Sequence, residues 1–428
     1  MKSSVRITLI AVLAALSTSC NLSKVEWVKF EDFSDLDEQT SFIPYRTEAN
    51  LLDGSTLGSM SLPGNISVDE CLENEEASTK TTSTNGANLL RGLLSAWKSR
   101  QIRSYCGTYY STDQHGNRIK LSGRIILPAD GKVSRIMLVS HFTIGANVEA
   151  PSSELPLEAI YAAHGVAVVE SDYVGYGASV NMIHPYLCAE VTANNVIDMY
   201  YASLPFLEKI GCSPENDDIF LLGFSQGGAV TMSVAQELEK NHPWVDIRLT
   251  MCGGGPYDIC ATYDTLINND VTDYPCAIPM IIQGLNDGMD LGLDYNEFFL
   301  PKMVENMDEW LNSKKYPMAD ITRMIGSNRI SSIMTEDARN KVNPRMTELY
   351  RAMIDNSAVW AFAPSCPIYL YHSLDDNVVP FVNADSMSYV LKDSNVIYNF
   401  GHYGNHQIST LRFFMCCIDL LKSYGDIY

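Results

Sequence analysis

A chain of 428 residues with 46% hydrophobic content can bury a large core, either as one α/β domain with insertions or as two or three average domains. Its formal net charge of −21 argues against a nucleic-acid partner, because phosphate binding needs clustered lysine and arginine. The acidity otherwise favours solubility.

Taken in chain order, residues 1–19 read as an export signal rather than as fold. Lys2 and Arg6 form a basic region, and Ile7 to Leu16 an apolar one too short to span a bilayer. Ser17-Thr18-Ser19-Cys20 follows, and this end resembles a bacterial lipoprotein signal. The resemblance implies cleavage before Cys20, lipidation of its thiol, and membrane contact through that lipid on the periplasmic side or outer surface. Ser17 stands where such signals usually carry leucine, so ordinary secretion stays open. Residues 20–104 are acidic and polar and read as a tether or extension, with helical periodicity over Leu89 to Ile102.

From Tyr105 the texture changes, and residues 105–428 read as one catalytic domain. Two alternating stretches, Tyr105 to Tyr110 and Ile119 to Leu127, flank a turn at Gln114-His115-Gly116-Asn117 and predict an antiparallel hairpin. Continuous apolar runs predict buried strands at 135–140, 166–170, 219–222 and 247–251, then at 367–372 and 395–400. Helical patterns lie between them, at Leu157 to Ala163, Val191 to Leu207 and Gln407 to Ser423. Alternation at this spacing predicts a mainly parallel, doubly wound sheet. Residues 258–364 hold helical patterns and no clear buried strand, and are expected as a helical cap over the carboxyl edge of the sheet. Within it Phe298, Phe299, Leu300, Met303 and Trp310 are candidate pocket lining, with ordinary cap core as the plainer assignment.

The chemistry centres on DDIFLLGFSQGGAV (217–230), where a strand meets a helix through Gly223-Phe224-Ser225-Gln226-Gly227. A serine on such a turn has its hydroxyl lifted above the sheet, and only small residues fit two positions either side. A serine hydroxyl is a poor nucleophile unless a neutral imidazole takes its proton and a carboxylate orients that imidazole. Chain order in this architecture is serine, acid, histidine, each after a strand. The acid is expected at Asp376, with Asp375 second, in His372 to Pro380. The base is expected at His406, with His402 as the alternative, after the last strand. One oxyanion donor is expected at the Gln226 N–H and a second from Phe142 or Thr143.

Ten cysteines follow Cys20, without a C-x-x-C pair or a ligand-spaced Cys/His cluster, so no zinc and no cofactor is expected. Cys416 and Cys417 lie in an apolar helical run and read as core thiols.

Together APS (150–152), AAHGVAVVESDYVGYG (162–177), HPY (184–186), GFSQGG and the D-x-V-V-P loop make residues 105–425 resemble an α/β-hydrolase serine esterase of the secretory-lipase-like kind. The resemblance implies hydrolysis of carboxylic esters through an acyl-enzyme, without metal, with the cap shaping the acyl pocket. A serine peptidase or acyltransferase could use the same three residues. A non-catalytic binding lipoprotein would be expected to lack one of them. The ester substrate, which belongs to a lipid, a glycan or an aryl compound, and the oligomeric state are not set by these features.

Overall fold

The structure, a computed structural model, describes residues 33–78, 84–95 and 97–427. The signal segment and Cys20 lie outside them. Nine strands form the central sheet: β1 (Ile43–Leu52), β2 (Arg100–Thr112), β3 (Arg118–Pro128), β4 (Ile136–Ser140), β5 (Ala167–Ser171), β6 (Ile219–Phe224), β7 (Ile247–Gly253), β8 (Ile368–Ser373) and β9 (Val396–Gly401). Their order is β1-β2-β3-β5-β4-β6-β7-β8-β9. The first three strands are antiparallel, β3 joins β5 antiparallel, and every pair from β5 to β9 is parallel. This is the α/β-hydrolase arrangement.

The central strands are apolar throughout because both faces are covered. Leu138 and Leu221 point to the face packed by α1 (Ala189–Lys209) and α2 (Gln226–Asn241). Their neighbours Met137, Val139 and Leu222 point to the other face, with Phe413, Phe414 and Cys417. The described thiols are unbridged, and Cys417 is fully buried.

Two segments differ from the sequence expectation. Residues 20–104 are more than a tether: from Ile43 they supply the edge strand, paired with β2 from Ile43↔Thr108 to Leu52↔Arg100. The buried Arg124 guanidinium of β3 donates to Glu48 on β1 at 3.0 Å, to Ser104 at 2.9 Å and to the Pro151 carbonyl. No apolar run marks this strand, because its faces are only half covered and its sequence, IPYRTEANLL, is largely polar. The helix expected over Leu89 to Ile102 stops at Ser95, and Arg100 to Ile102 already belong to β2, whose pairing with β1 extends it.

Between β7 and β8 the chain runs through helices, among them α3 (Ile259–Asn269) and α4 (Ala277–Gly288). This insertion is tied to the sheet domain by Asn383, which accepts from the Asp258 N–H at 2.9 Å, and by the Asn147 N–H, which donates to the Lys314 carbonyl at 2.7 Å.

Candidate active site

Ser225 stands between β6 and α2 with φ 58° and ψ −127°, a conformation that costs a non-glycine residue about 1–3 kcal/mol. Packing holds it there. The Ser225 N–H donates to the Gly253 carbonyl at 2.9 Å. A Cβ on Gly223 would lie 2.2 Å from the Gly227 carbonyl oxygen, and one on Gly227 would lie 1.9 Å from that of Ser140. Glycine at both positions therefore lets the helix close onto the strand ends.

His406 opens α5 (His406–Ser423), whose N-cap Asn405 accepts from the Ile408 N–H at 3.0 Å. Its Nε2 is 2.9 Å from Ser225 Oγ and its Nδ1 is 2.7 Å from Asp376 Oδ2. The other carboxylate oxygen of Asp376 accepts from the Val378 and Val379 N–H groups at 2.9 and 2.8 Å. A carboxylate with this donor set leaves the Nδ1 proton on His406 and frees Nε2 to accept from the serine. Burial pushes Asp376 upward, but His406, its hydrogen bond, His372 and the Val378 N–H outweigh it, so the carboxyl titrates below its ordinary value. His402 and Asp375 instead pair with each other at 2.8 Å at the surface, with side chains 77% and 43% exposed.

Gln226, the first residue of α2, is buried, and its amide Nε2 donates to His184 Nε2 at 2.9 Å. His184 in turn donates from Nδ1 to the Val174 carbonyl at 2.7 Å, which requires the neutral ring. Burial, reinforced by the nearby Lys314 charge, lowers His184 to about 3. Beside Ser225 and His406 is a cavity of about 50 Å³. From the loop after β4 it is lined by Thr143, whereas Phe142 lines the adjacent cavity with Glu149 and Pro151.

For four of the five cap candidates the plainer assignment of ordinary core holds, and Leu300 is half-buried and does not line the cavity. Phe298, Phe299, Met303 and Trp310 are buried in the cap's own core, because their short helices turn those apolar faces inward. Thr262, Leu266, Tyr274, Ala277, Ile281 and Met318 face the cavity instead. Pro63 and Gly64, from the stretch read as a tether, close another side. Tyr274 donates to the Pro63 carbonyl at 3.4 Å and accepts from Gln407 Nε2 at 2.9 Å, linking cap, N-terminal segment and α5. The turn signal Pro-Gly-Asn at 63–65 was visible in the sequence, but not its destination. A larger groove of about 690 Å³, bordered by Glu190, Lys240, Asp355 and Phe362, opens at the start of α1 and includes neither Ser225 nor His406. No group of three or more His, Cys, Asp or Glu among the described residues is arranged to hold a metal ion.

The profile of the Secretory lipase family matches residues 150–408, more than half of the chain. The chain belongs to the secretory lipase family. This family member is a hydrolase acting on ester bonds. A search of curated proteins finds no match to it. Among solved structures it is similar to the rice cell wall degrading esterase LipA from Xanthomonas oryzae, at 20% identity and a TM-score of 0.68, over 78% of this chain and 94% of that one. It also resembles lipase A from Candida antarctica, at 16% identity and a TM-score of 0.50, over 71% of this chain and 73% of that one. At such identities the likeness is one of fold.

Proposed function

We propose that this secretory lipase family member hydrolyses carboxylic esters through an acyl-enzyme on Ser225, with His406 as base and Asp376 holding the imidazole. One observation carries the proposal: the unbroken line Asp376 Oδ2, His406 Nδ1, His406 Nε2, Ser225 Oγ, with steps of 2.7 and 2.9 Å, beside a cavity roofed by the cap. As Ser225 Oγ attacks the ester carbonyl, its proton passes to His406 Nε2. The oxyanion is held by the Gln226 N–H at the start of α2 and by a backbone N–H of the Phe142-Thr143 loop. His406 then gives the proton to the departing alcohol, and a water deprotonated by His406 releases the carboxylic acid and restores the serine.

The cavity wall is mostly apolar, which suits a hydrocarbon portion of the substrate. Export fits membership of a secretory family. Cleavage before Cys20 and attachment through its lipidated thiol complete the proposal, with residues 258–364 as the cap of the catalytic domain.

The test is hydrolysis of 4-nitrophenyl esters of graded chain length by the soluble form beginning after Cys20, beside Ser225→Ala. Turnover by the wild-type chain and none by Ser225→Ala is expected. A folded wild-type chain inert toward every ester, or an active Ser225→Ala, would overturn the proposal.

A further inference from the structure

Lys314 is a buried cation with no counter-ion among the described residues. It is 6% exposed, and among the described residues no carboxylate offsets its burial or pairs with its ammonium. Its one close charge-stabilising neighbour is the ring of Tyr176, whose centroid is 5.0 Å from Nζ. Burial lowers it to about 8, so it remains mostly protonated at neutral pH. A buried ammonium without a partner is costly, and a methionine would fill the same space without the penalty. Such a charge persists where something outside the chain pairs with it.

The position of Lys314 says what that is. It borders a small cavity with Tyr186, Met280, Gln283, His184 and Ile321. The Ser225 cavity lies against the same elements: Ala277 and Ile281 of α4 face it, where Met280 and Gln283 face Lys314, and Tyr186 borders both. Tyr186 is therefore the partition, held by the 2.8 Å hydrogen bond between its hydroxyl and Thr143 Oγ1. With the partition closed, the space beside the ammonium is about 10 Å³, room for roughly one water. A ligand that reaches Lys314 from the Ser225 cavity has to turn the Tyr186 side chain away from Thr143.

We propose that Lys314 is the anion-binding element of the substrate site, and that the ester this enzyme takes carries a carboxylate or similar anion on its acyl or its alcohol half. The proposal rests on Ser225 being the nucleophile only for its kinetic test, not for its binding test.

The kinetic test compares two isosteric pairs of esters. On the acyl side these are mono-4-nitrophenyl glutarate and 4-nitrophenyl 5-methylhexanoate; on the alcohol side, 4-carboxyphenyl acetate and 4-isopropylphenyl acetate. The anionic member of one pair should have the higher kcat/KM relative to its neutral partner, and Lys314→Met should lower that ratio about tenfold or more, the worth of one charge-assisted hydrogen bond. Ratios unchanged by Lys314→Met in both pairs would overturn the assignment. Independently, calorimetry of glutarate, benzoate and sodium chloride is run with Ser225→Ala and with Ser225→Ala/Lys314→Met. Carboxylate binding that disappears with Lys314 supports the proposal even if no ester is turned over. Chloride binding alone would make this an inorganic-anion site, and no binding together with unchanged ratios would leave Lys314 a structural residue; either result rejects the substrate assignment. A melting temperature of Lys314→Met at or above that of wild type shows that the fold is intact.

Discussion

The carbonyl oxygen of Ser140, at the end of β4, lies 1.9 Å from the place a Cβ on Gly227 would occupy. The first turn of α2 is thus pressed against the neighbouring strand, and this contact sets the height of Ser225 above the sheet. Gly227→Ala is expected to destabilise the protein by about 1–3 kcal/mol and to lower ester hydrolysis well beyond any loss of folded protein. Gly92, with nothing within 4 Å of its would-be Cβ in a helix, is the control: Gly92→Ala should be neutral or stabilise by roughly 0.5–1 kcal/mol. Urea unfolding beside kcat/KM measures both.

Two histidine–aspartate pairs lie within a few residues of each other, and only one reaches the serine. His406→Ala should lower kcat roughly 10⁵-fold or more, and Asp376→Asn about 10⁴-fold by turning the imidazole to the wrong tautomer. His402→Ala and Asp375→Asn remove an exposed pair, and should leave kcat within about twofold and stability within about 0.5 kcal/mol. Initial rates on a single 4-nitrophenyl ester separate the pairs.

Beneath the loop after β4, Glu158 and Glu170 are fully buried, and neither carboxylate oxygen of Glu170 has a hydrogen-bond partner. Burial raises Glu158 from its ordinary value of 4.5 to about 7, and burial with the Glu158 and Asp172 charges raises Glu170 well above that ordinary value. Between pH 4.5 and 7 Glu158 in the folded chain keeps a proton that the unfolded chain has lost, so its contribution to stability falls as pH rises through that window and is constant above it, while Glu170 adds a fall of the same sign. The slope is up to about 1.4 kcal/mol per pH unit for one proton. Glu158→Gln removes that proton's contribution. It should flatten the decline and raise the melting temperature at pH 8 relative to wild type. Melting curves from pH 4 to 8 test this.

Truncation separates residues 20–32 from the described fold. A chain beginning at Phe33 keeps β1, the Glu48 partner of Arg124, and Pro63 and Gly64 of the cavity wall. It should match the longer soluble form in melting temperature and activity. A chain beginning at Arg100 bares the edge of β2 and leaves the buried Arg124 without its carboxylate. It should lose at least about 3 kcal/mol of stability, or aggregate, as read by unfolding and light scattering.

Much of the molecule was legible before any contact was known, because it is written in local pattern. Continuous apolar runs such as RIMLVS identify strands covered on both faces, and glycines either side of Ser225 identify a turn that tolerates no larger residue. The order serine, acid, histidine likewise needs no coordinates. What only the tertiary structure decided are relationships between distant segments. β1 is too polar to announce itself and becomes a strand because β2 offers it an edge and Arg124 a charge. The start of α5 directs His406, rather than His402, to Ser225. The helical insertion between β7 and β8 turns its aromatic residues into its own core and presents Thr262, Leu266 and Ile281 to the cavity, a choice that periodicity leaves open because both faces are apolar. The isolation of Lys314 is of the same kind: a lysine in sequence has any number of partners, and burial in a completed fold is what removes them.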